Sequence, residues 1–225
     1  MRKLVDVFRG GESGAADGEM AAGELLSITG EPVVFAAADL VARELAANEV
    51  PLLQALFEAN PEYFLAINGR PALPNEARIE FEDRPPASMS YTRQWCLGVF
   101  APDCGLLGVC IVVSDLCAKG VWHITLYLLA TSLHGRGIAR ALYEALEAWA
   151  QASGARWLRL GAVVGNRRAE RFWRRCGFRE VRQRHAVDTG GRVNDLYVMV
   201  KPLDEAPWSD YFASVPRDHP DSTLP

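Results

Sequence analysis

The sequence predicts an α/β fold of the α+β kind, one mixed sheet of about seven strands with helices on both faces. Three observations carry that expectation. The hydrophobic period switches along the chain in the order strand, helix, three strands, helix, strand, helix, two strands. Two turn-forming tetrapeptides, Pro102-Asp103-Cys104-Gly105 and Thr189-Gly190-Gly191-Arg192, separate pairs of apolar runs and read as antiparallel hairpins. Ile138, Ala141, Leu142, Ala145, Leu146 and Trp149 recur at helical spacing and stop before Gly154.

Taken in order, residues 1–37 read as an N-terminal extension. Gly10 to Gly23 is rich in Gly, Ala and acidic residues and holds neither period, with a short strand at Pro32–Phe35. The folded unit spans 38–203. Val41–Ala46 is its first strand. Asn48 then caps a helix over Val50, Leu53, Leu56 and Phe57, with Pro51 in the first turn where a missing N–H is tolerated. Residues 66–93 contain Pro71, Pro74, Pro85 and Pro86 and read as loops around a short helix, a kind of segment that shapes binding sites. Trp95–Phe100, Leu107–Val113 and Val121–Ala130 follow as strands, the last ending on Thr131-Ser132-Leu133. Beyond the 138–149 helix come a strand at Trp157–Val163 and a helix at Asn166–Cys176 closed by Gly177. Arg179–Asp188 and Val193–Val200 form the last hairpin, and 204–225, with four prolines, reads as a loosely held tail.

Composition narrows the function classes. At 225 residues, 49% hydrophobic and 23% charged, the chain suits one globular domain with decorations. A net charge of -4 argues against nucleic acid as a partner. Five cysteines form no CxxC pair and, with no secretory signal behind Arg2 and Lys3, read as reduced thiols in the cytoplasm. The four histidines are scattered, so no metal site is expected. No apolar stretch approaches the roughly 20 residues a membrane span needs.

The most informative stretch is His134-Gly135-Arg136-Gly137-Ile138-Ala139, between a strand and the strongly periodic helix. Small residues let the backbone turn sharply and aim N–H groups outward, and the helix N-terminus behind them adds partial positive charge, which suits a diphosphate. A plain strand-to-helix turn fits the same residues. Neither a Walker loop nor GxGxxG is present, which sets aside the nucleotide-binding enzymes built on them.

This stretch resembles the Gln/Arg-x-x-Gly-x-Gly/Ala motif of the GNAT N-acetyltransferases. The run Asn166-Arg-Arg-Ala169-Glu-Arg-Phe172-Trp173-Arg-Arg-Cys-Gly177-Phe178 resembles their Asn-x-x-Ala-x-x-Phe-Tyr-x-x-x-Gly-Phe motif. The resemblance implies a mostly antiparallel seven-stranded sheet in which a parallel pair, 121–130 and 157–163, splays apart around acetyl-CoA. It implies that His134, Gly135, Arg136, Gly137, Ile138 and Ala139 hold the diphosphate. The pantetheine arm would pair with strand backbone near Leu128 and Leu129, bordered by Asn166, Ala169, Phe172 and Trp173. Of Arg167, Arg168, Arg171, Arg174 and Arg175, one or two would reach a phosphate, or all would form a solvated face.

Transfer to an amine needs a neutral nucleophile, although a free amine has a pKa near roughly 10.4. Counting back from the loop, His123 stands where the histone-modifying branch of the family carries a Glu base, and strand alternation groups it with Thr125, Tyr127 and Leu129. A His packed beside Trp122 fits the position equally. Trp173 replaces the Tyr that many family members use as an acid. It cannot usefully give up a proton, leaving Tyr127 as the candidate acid or no acid at all. Tyr63, Phe64, the Arg84-Pro85-Pro86 loop and 188–193 are candidates for the acceptor pocket. The expected reaction is acetyl transfer from acetyl-CoA to a primary amine of a small molecule, amino acid or peptide. A non-catalytic acyl-CoA-binding module is the rival reading, and a homodimer is left open.

Overall fold

The computed structural model describes residues 32–101 and 104–224; the rest of the expected extension and the Pro102-Asp103 turn lie outside the described residues. Eight strands form one sheet: β1 (Phe35–Ala37), β2 (Leu40–Glu44), β3 (Gln94–Ala101), β4 (Cys104–Val113), β5 (Val121–Leu129), β6 (Trp157–Val163), β7 (Arg179–Asp188) and β8 (Val193–Pro202), in the order β1-β2-β3-β4-β5-β6-β8-β7. Every neighbouring pair is antiparallel except β5 with β6. The class is as expected and the count is one higher. The extra strand is β1, displaced from the expected 32–35, and it returns into β2 through Ala38 and Asp39, both at positive φ (52° and 61°). Such a two-residue turn is usually signalled by Asn-Gly, so Ala-Asp gives little warning of it.

Six helices cover the sheet: α1 (Val50–Ala59), α2 (Pro61–Asn68), α3 (Glu76–Glu82), α4 (Ile138–Ala152), α5 (Arg167–Arg175) and α6 (Trp208–Ser214). α4 and α5 share one face, where Leu142, Tyr143, Leu146 and Trp173 pack on Leu97, Val99, Cys110 and Ile124. α1 and α2 lie on the other, with Leu53, Phe57 and Phe64 against Val109, Ile111, Leu126 and Leu128. The expected cap of α1 is corrected. Asn48 sits within a 3-10 turn, and Glu49 does the tying instead, with its carboxylate on Arg43 (2.6 and 2.8 Å) and on the Ala46 N–H (3.0 Å).

The tail expected to be loose is held in the core. α6 and the 3-10 turn Pro216–Asp218 pack on the start of β5 and on β6 and β8, with Tyr211 and Val215 buried against Val121, Trp157, Val198 and Val200. At the centre Arg159 of β6 makes a bidentate pair with Asp218 (2.7 and 3.0 Å), and Tyr211 donates to the same carboxylate (2.6 Å). Burial alone would raise the Asp218 pKa, but Arg159 outweighs it and holds the group at about 2. Prolines and charge in a sequence tail conceal such a partner, which lies 59 residues away.

Asp218→Asn therefore leaves a buried guanidinium uncompensated and is expected to cost about 3–5 kcal/mol in urea unfolding. Because the folded pKa is depressed, the pair's contribution is complete above pH ~4 and lost as pH falls through about 2. The acid limb of the wild-type stability curve should flatten in the variant.

Candidate active site: a cleft between parting strands

The parallel pairing of β5 with β6 lasts four residue pairs, from Val121 opposite Trp157 to Ile124 opposite Leu160, and then stops. At that point β5 carries a bulge: Ile111 of β4 faces Leu126 while Val112 faces Ile124, leaving Thr125 without an opposite number. The extra residue reverses the alternation of side chains. Val121 and His123 point to the α6 face, whereas Tyr127 and Leu129 point to the α4 and α5 face. Beyond the bulge β5 keeps only β4 as a neighbour. Ala130 N–H donates to Leu107 O (2.8 Å), so by alternation Leu128 pairs toward β4 while Tyr127 and Leu129 turn their backbone N–H and C=O toward the gap.

A cavity of about 810 Å³ fills that gap. Its walls are β5 from Ile124 to Leu129, β6 from Leu160 to Val163, the loop before α4, the inner side of α5, and α2 with Glu80 of α3. Of the expected site residues, Tyr127, Leu128, Leu129, His134, Gly135, Ala139, Asn166, Ala169, Phe172 and Trp173 line it, while Arg136, Gly137 and Ile138 do not.

The loop is shaped by glycine. Gly135 and Gly137 hold φ of 75° and 78°, and Gly137 is the N-cap of α4. Among the described residues the N–H groups from Gly135 to Ala139 make no backbone hydrogen bond of good geometry, and they stand at the N-terminus of α4 beside the cavity that Gly135 and Ala139 line. Asn60 fastens the approach to the loop: its Nδ2 donates to Leu56 O (2.7 Å) and its Oδ1 accepts from Thr131 N–H (2.7 Å) and Oγ1 (2.9 Å). Tyr127 fastens the far end, its hydroxyl donating to Ala139 O (2.7 Å). His134 Nε2 lies 3.0 Å from Leu129 O, at the open edge of β5, and its Nδ1 is buried with no partner.

The α5 wall is apolar below and basic above. The Asn166 side chain accepts from Ala169 N–H (3.2 Å), capping the helix. Trp173 is buried among Tyr127, Tyr143, Phe172 and Phe178, at centroid distances of 4.9–5.6 Å. Arg167, Arg168, Arg171 and Arg175 line the cavity, whereas Arg174 is turned to Glu170 and Glu180. The lining also holds two carboxylates, Glu80 near Tyr63 and Glu62 within electrostatic reach of His134. These two and Asn60 were not singled out in the sequence. The Asn60-Pro61 pair, a cap residue before a first-turn proline, was the available signal.

Four candidates stand otherwise than expected. His123 does not line the cavity. It is buried on the α6 face, where its Nδ1 accepts from Arg159 (3.2 Å), and burial together with that cation pushes its pKa well below the ordinary value. The bulge at Thr125 is the reason, since alternation without it would have grouped His123 with Tyr127. Tyr127 is committed to Ala139, and burial drives its pKa well up. Leu128 lines the cavity by its side chain, but its backbone belongs to β4. Arg84 binds the Phe81 and Asp83 carbonyls (2.8 Å each) away from the cavity.

A sheet with one parallel pair parted beside a glycine loop at a helix N-terminus leaves a cleft with room for a long ligand. The donor set fits one that bears a diphosphate: backbone N–H groups, open strand edge and flanking arginines. Comparison with known proteins names the class more closely. Residues 53–178 match the acetyltransferase (GNAT) family, and the chain belongs to that family, whose members are N-acetyltransferases that use acetyl-CoA. Sequence comparison with curated proteins gives no match. Among solved structures, an acetyltransferase from Thermus thermophilus is 22% identical, covering 74% of this chain and 98% of its own, with a TM-score of 0.58. The acetyl transferase of Salmonella typhimurium that modifies the N-terminal serine of a 50S ribosomal subunit protein is 18% identical, with coverage of 75% and 97% and a TM-score of 0.59. Spermidine N-acetyltransferase from Vibrio cholerae, in complex with CoA and spermine, is 16% identical over 74% and 96% with a TM-score of 0.56. At these identities the likeness is one of fold. Among the described residues no helix is long and apolar enough to cross a membrane, and no His, Cys, Asp and Glu group could hold a metal.

The loop's conformation yields a direct test. No heavy atom lies within 4 Å of where a Cβ on Gly137 would stand, so Gly137→Ala meets only backbone strain. It is expected to lower stability by about 1–2 kcal/mol, and Gly137→Asn by less, as read by thermal unfolding.

Proposed function

We propose that the chain transfers an acetyl group from acetyl-CoA to the primary amine of a small molecule, amino acid or peptide. The observation that carries this reading is the meeting, in one cavity, of an open strand edge and an outward-facing glycine loop at a helix N-terminus. The loop N–H groups from Gly135 to Ala139 would hold the diphosphate, with one or two of Arg167, Arg168, Arg171 and Arg175 on the remaining phosphate charge. The backbone of Tyr127 and Leu129 would take the pantetheine arm as an added strand. Ala169, Phe172 and Trp173 would shield it from water.

When bound, the cofactor supplies an activated acetyl thioester; the chain supplies position and proton handling. The acceptor enters from the α2 side, where Glu80 and Glu62 favour a cationic amine. Glu80, half-buried beside Tyr63, is the group we assign to take the amine's proton, directly or through one water. Thr125 and the backbone of the bulge would border the reacting centre. Tyr127 and Trp173 are not assigned as acids, the first being bound to Ala139 and the second having no proton to lose at neutral pH. In this reading the catalytic unit is residues 38–203, with 208–218 fastened to it.

A non-catalytic acyl-CoA-binding module remains the second reading. It is favoured by the seclusion of His123 and by the loss of a tyrosine at Trp173.

Calorimetric titration with acetyl-CoA, followed by thiol release against a panel of amines, separates the two. Binding should weaken about tenfold or more in Gly137→Trp, which fills the diphosphate loop. Glu80→Gln should lower kcat by about 10²-fold or more while leaving acetyl-CoA affinity unchanged. His123→Ala should lower thermal stability and leave turnover in place. Binding without release of thiol on any amine would favour the second reading.

A further inference from the structure

Part of the cavity wall on the α2 side is built from two segments far apart in the chain. Ile67, near the end of α2, and Thr189, at the β7–β8 turn, both line the cavity although 122 residues separate them. Thr189 Oγ1 donates to Ile67 O (2.8 Å), and Asn194 Nδ2 donates both to that carbonyl (2.8 Å) and to Thr189 Oγ1 (2.6 Å). Arg70, just beyond α2, donates from Nη2 to Gly190 O (2.9 Å) and from Nη1 to Glu76 (2.8 Å). The turn is pressed close, for a Cβ on Gly191 would stand 3.1 Å from Asn68 O. Thr189, Asn68 and Glu76 are all fully buried in this joint.

Capping explains a part of the arrangement, because Ile67 O is among the last carbonyls of α2 and needs a donor from outside the helix. A cap requires neither a second donor on the same oxygen nor the Arg70 brace. Together these contacts hold α2 and the hairpin at one separation, and so fix the width of the cavity between them.

Resting on the acetyl-transfer reading above, we propose that the acceptor is a small primary amine with an apolar body and no carboxylate, and that Thr189, Asn194 and Arg70 set its size limit. Tyr63 and Ile67, at i and i+4 on α2, face the cavity together, and Val163 and Leu196 line it from the sheet, which suits hydrocarbon. The Thr189 hydroxyl is spent on Ile67 O and is not offered to a ligand. The arginines of the lining all belong to α5, and Arg70 is engaged by Glu76 and Gly190 O. A carboxylate on the α2 side would therefore lose water without gaining a cation, and would meet Glu80 near Tyr63. A peptide would have to continue past the joint, whose closure leaves no width for a backbone.

The experiment measures thiol release by the full chain at saturating acetyl-CoA with 3-methylbutylamine, leucine and a short peptide amide that begins with leucine. The three share one hydrocarbon and differ in carboxylate and chain length. We expect wild-type kcat/KM to favour the amine over each of the others by about tenfold or more. The double variant Thr189→Ala with Asn194→Ala, which removes both donors to Ile67 O, should raise the peptide's kcat/KM relative to the amine's by about tenfold, through KM, at unchanged acetyl-CoA affinity. Thr189→Ser keeps the hydroxyl and should keep the wild-type order of preference. A joint that served only to cap α2 would lower the thermal midpoint of the double variant and leave that order unmoved. Equal use of leucine or the peptide by the wild type, or an unmoved order in the folded double variant, would overturn the proposal while leaving acetyl transfer intact. Should the double variant fail to fold, the wild-type order alone decides. Absence of thiol release with every amine would overturn both readings.

Discussion

The site depends on a single constraint, the end of the β5–β6 pairing at Ile124 and Leu160. Backbone donors and acceptors left unpaired in a protein interior are costly, and two strands that part must leave several of them behind. Here they are not buried without compensation. The bulge at Thr125 turns Tyr127 and Leu129 toward the gap, and the cavity gives the opened edge room for a ligand able to serve as a strand. The glycine loop follows a few residues later on the same chain, so edge and anion-binding donors share one orientation. Position along β5 therefore brings open edge and glycine loop to one cavity.

What holds the pair together up to that point is on the opposite face. His123 and Arg159 are register partners one step before the strands part, and Arg159 is clamped by Asp218 and through it to Tyr211. A buried ion pair of this kind adds little net stability over apolar packing, but removing one partner is severe. It fixes the C-terminal segment on the sheet immediately below the cleft and explains why His123 is a structural neighbour of arginine and not a base. Without the tail the lower half of the β5–β6 pair would lose its cover.

Local signals in the sequence were the readable ones. The helical period of 138–149, the glycines of the loop, the cap-and-stop pattern of Asn166 to Gly177 and the Thr189–Arg192 turn are all set by neighbours within a few residues, and each is found where expected. Non-local relations were hidden. One inserted residue at Thr125 inverted the predicted facing of His123, because an alternation pattern carries no mark of a bulge. Asp218 lies among prolines and its partner is on β6. Asn60, Pro61 and the left-handed Gly69 bracket α2 with ordinary start and stop signals, but their short, mixed helix lacks an apolar stripe strong enough to stand out from the loops around it. Glu62 and Glu80 went unseen for the same reason, since α2 and α3 bring them to one cavity only through their packing.

Hydrogen exchange at the amides of β5 tests the open edge most directly. Leu128, paired to β4, should be protected with or without ligand. Leu129 and Tyr127 should exchange freely in the unliganded chain and become protected when acetyl-CoA is added. If Leu129 is already protected alone, or unchanged at saturating acetyl-CoA, the added-strand account of this cleft is wrong.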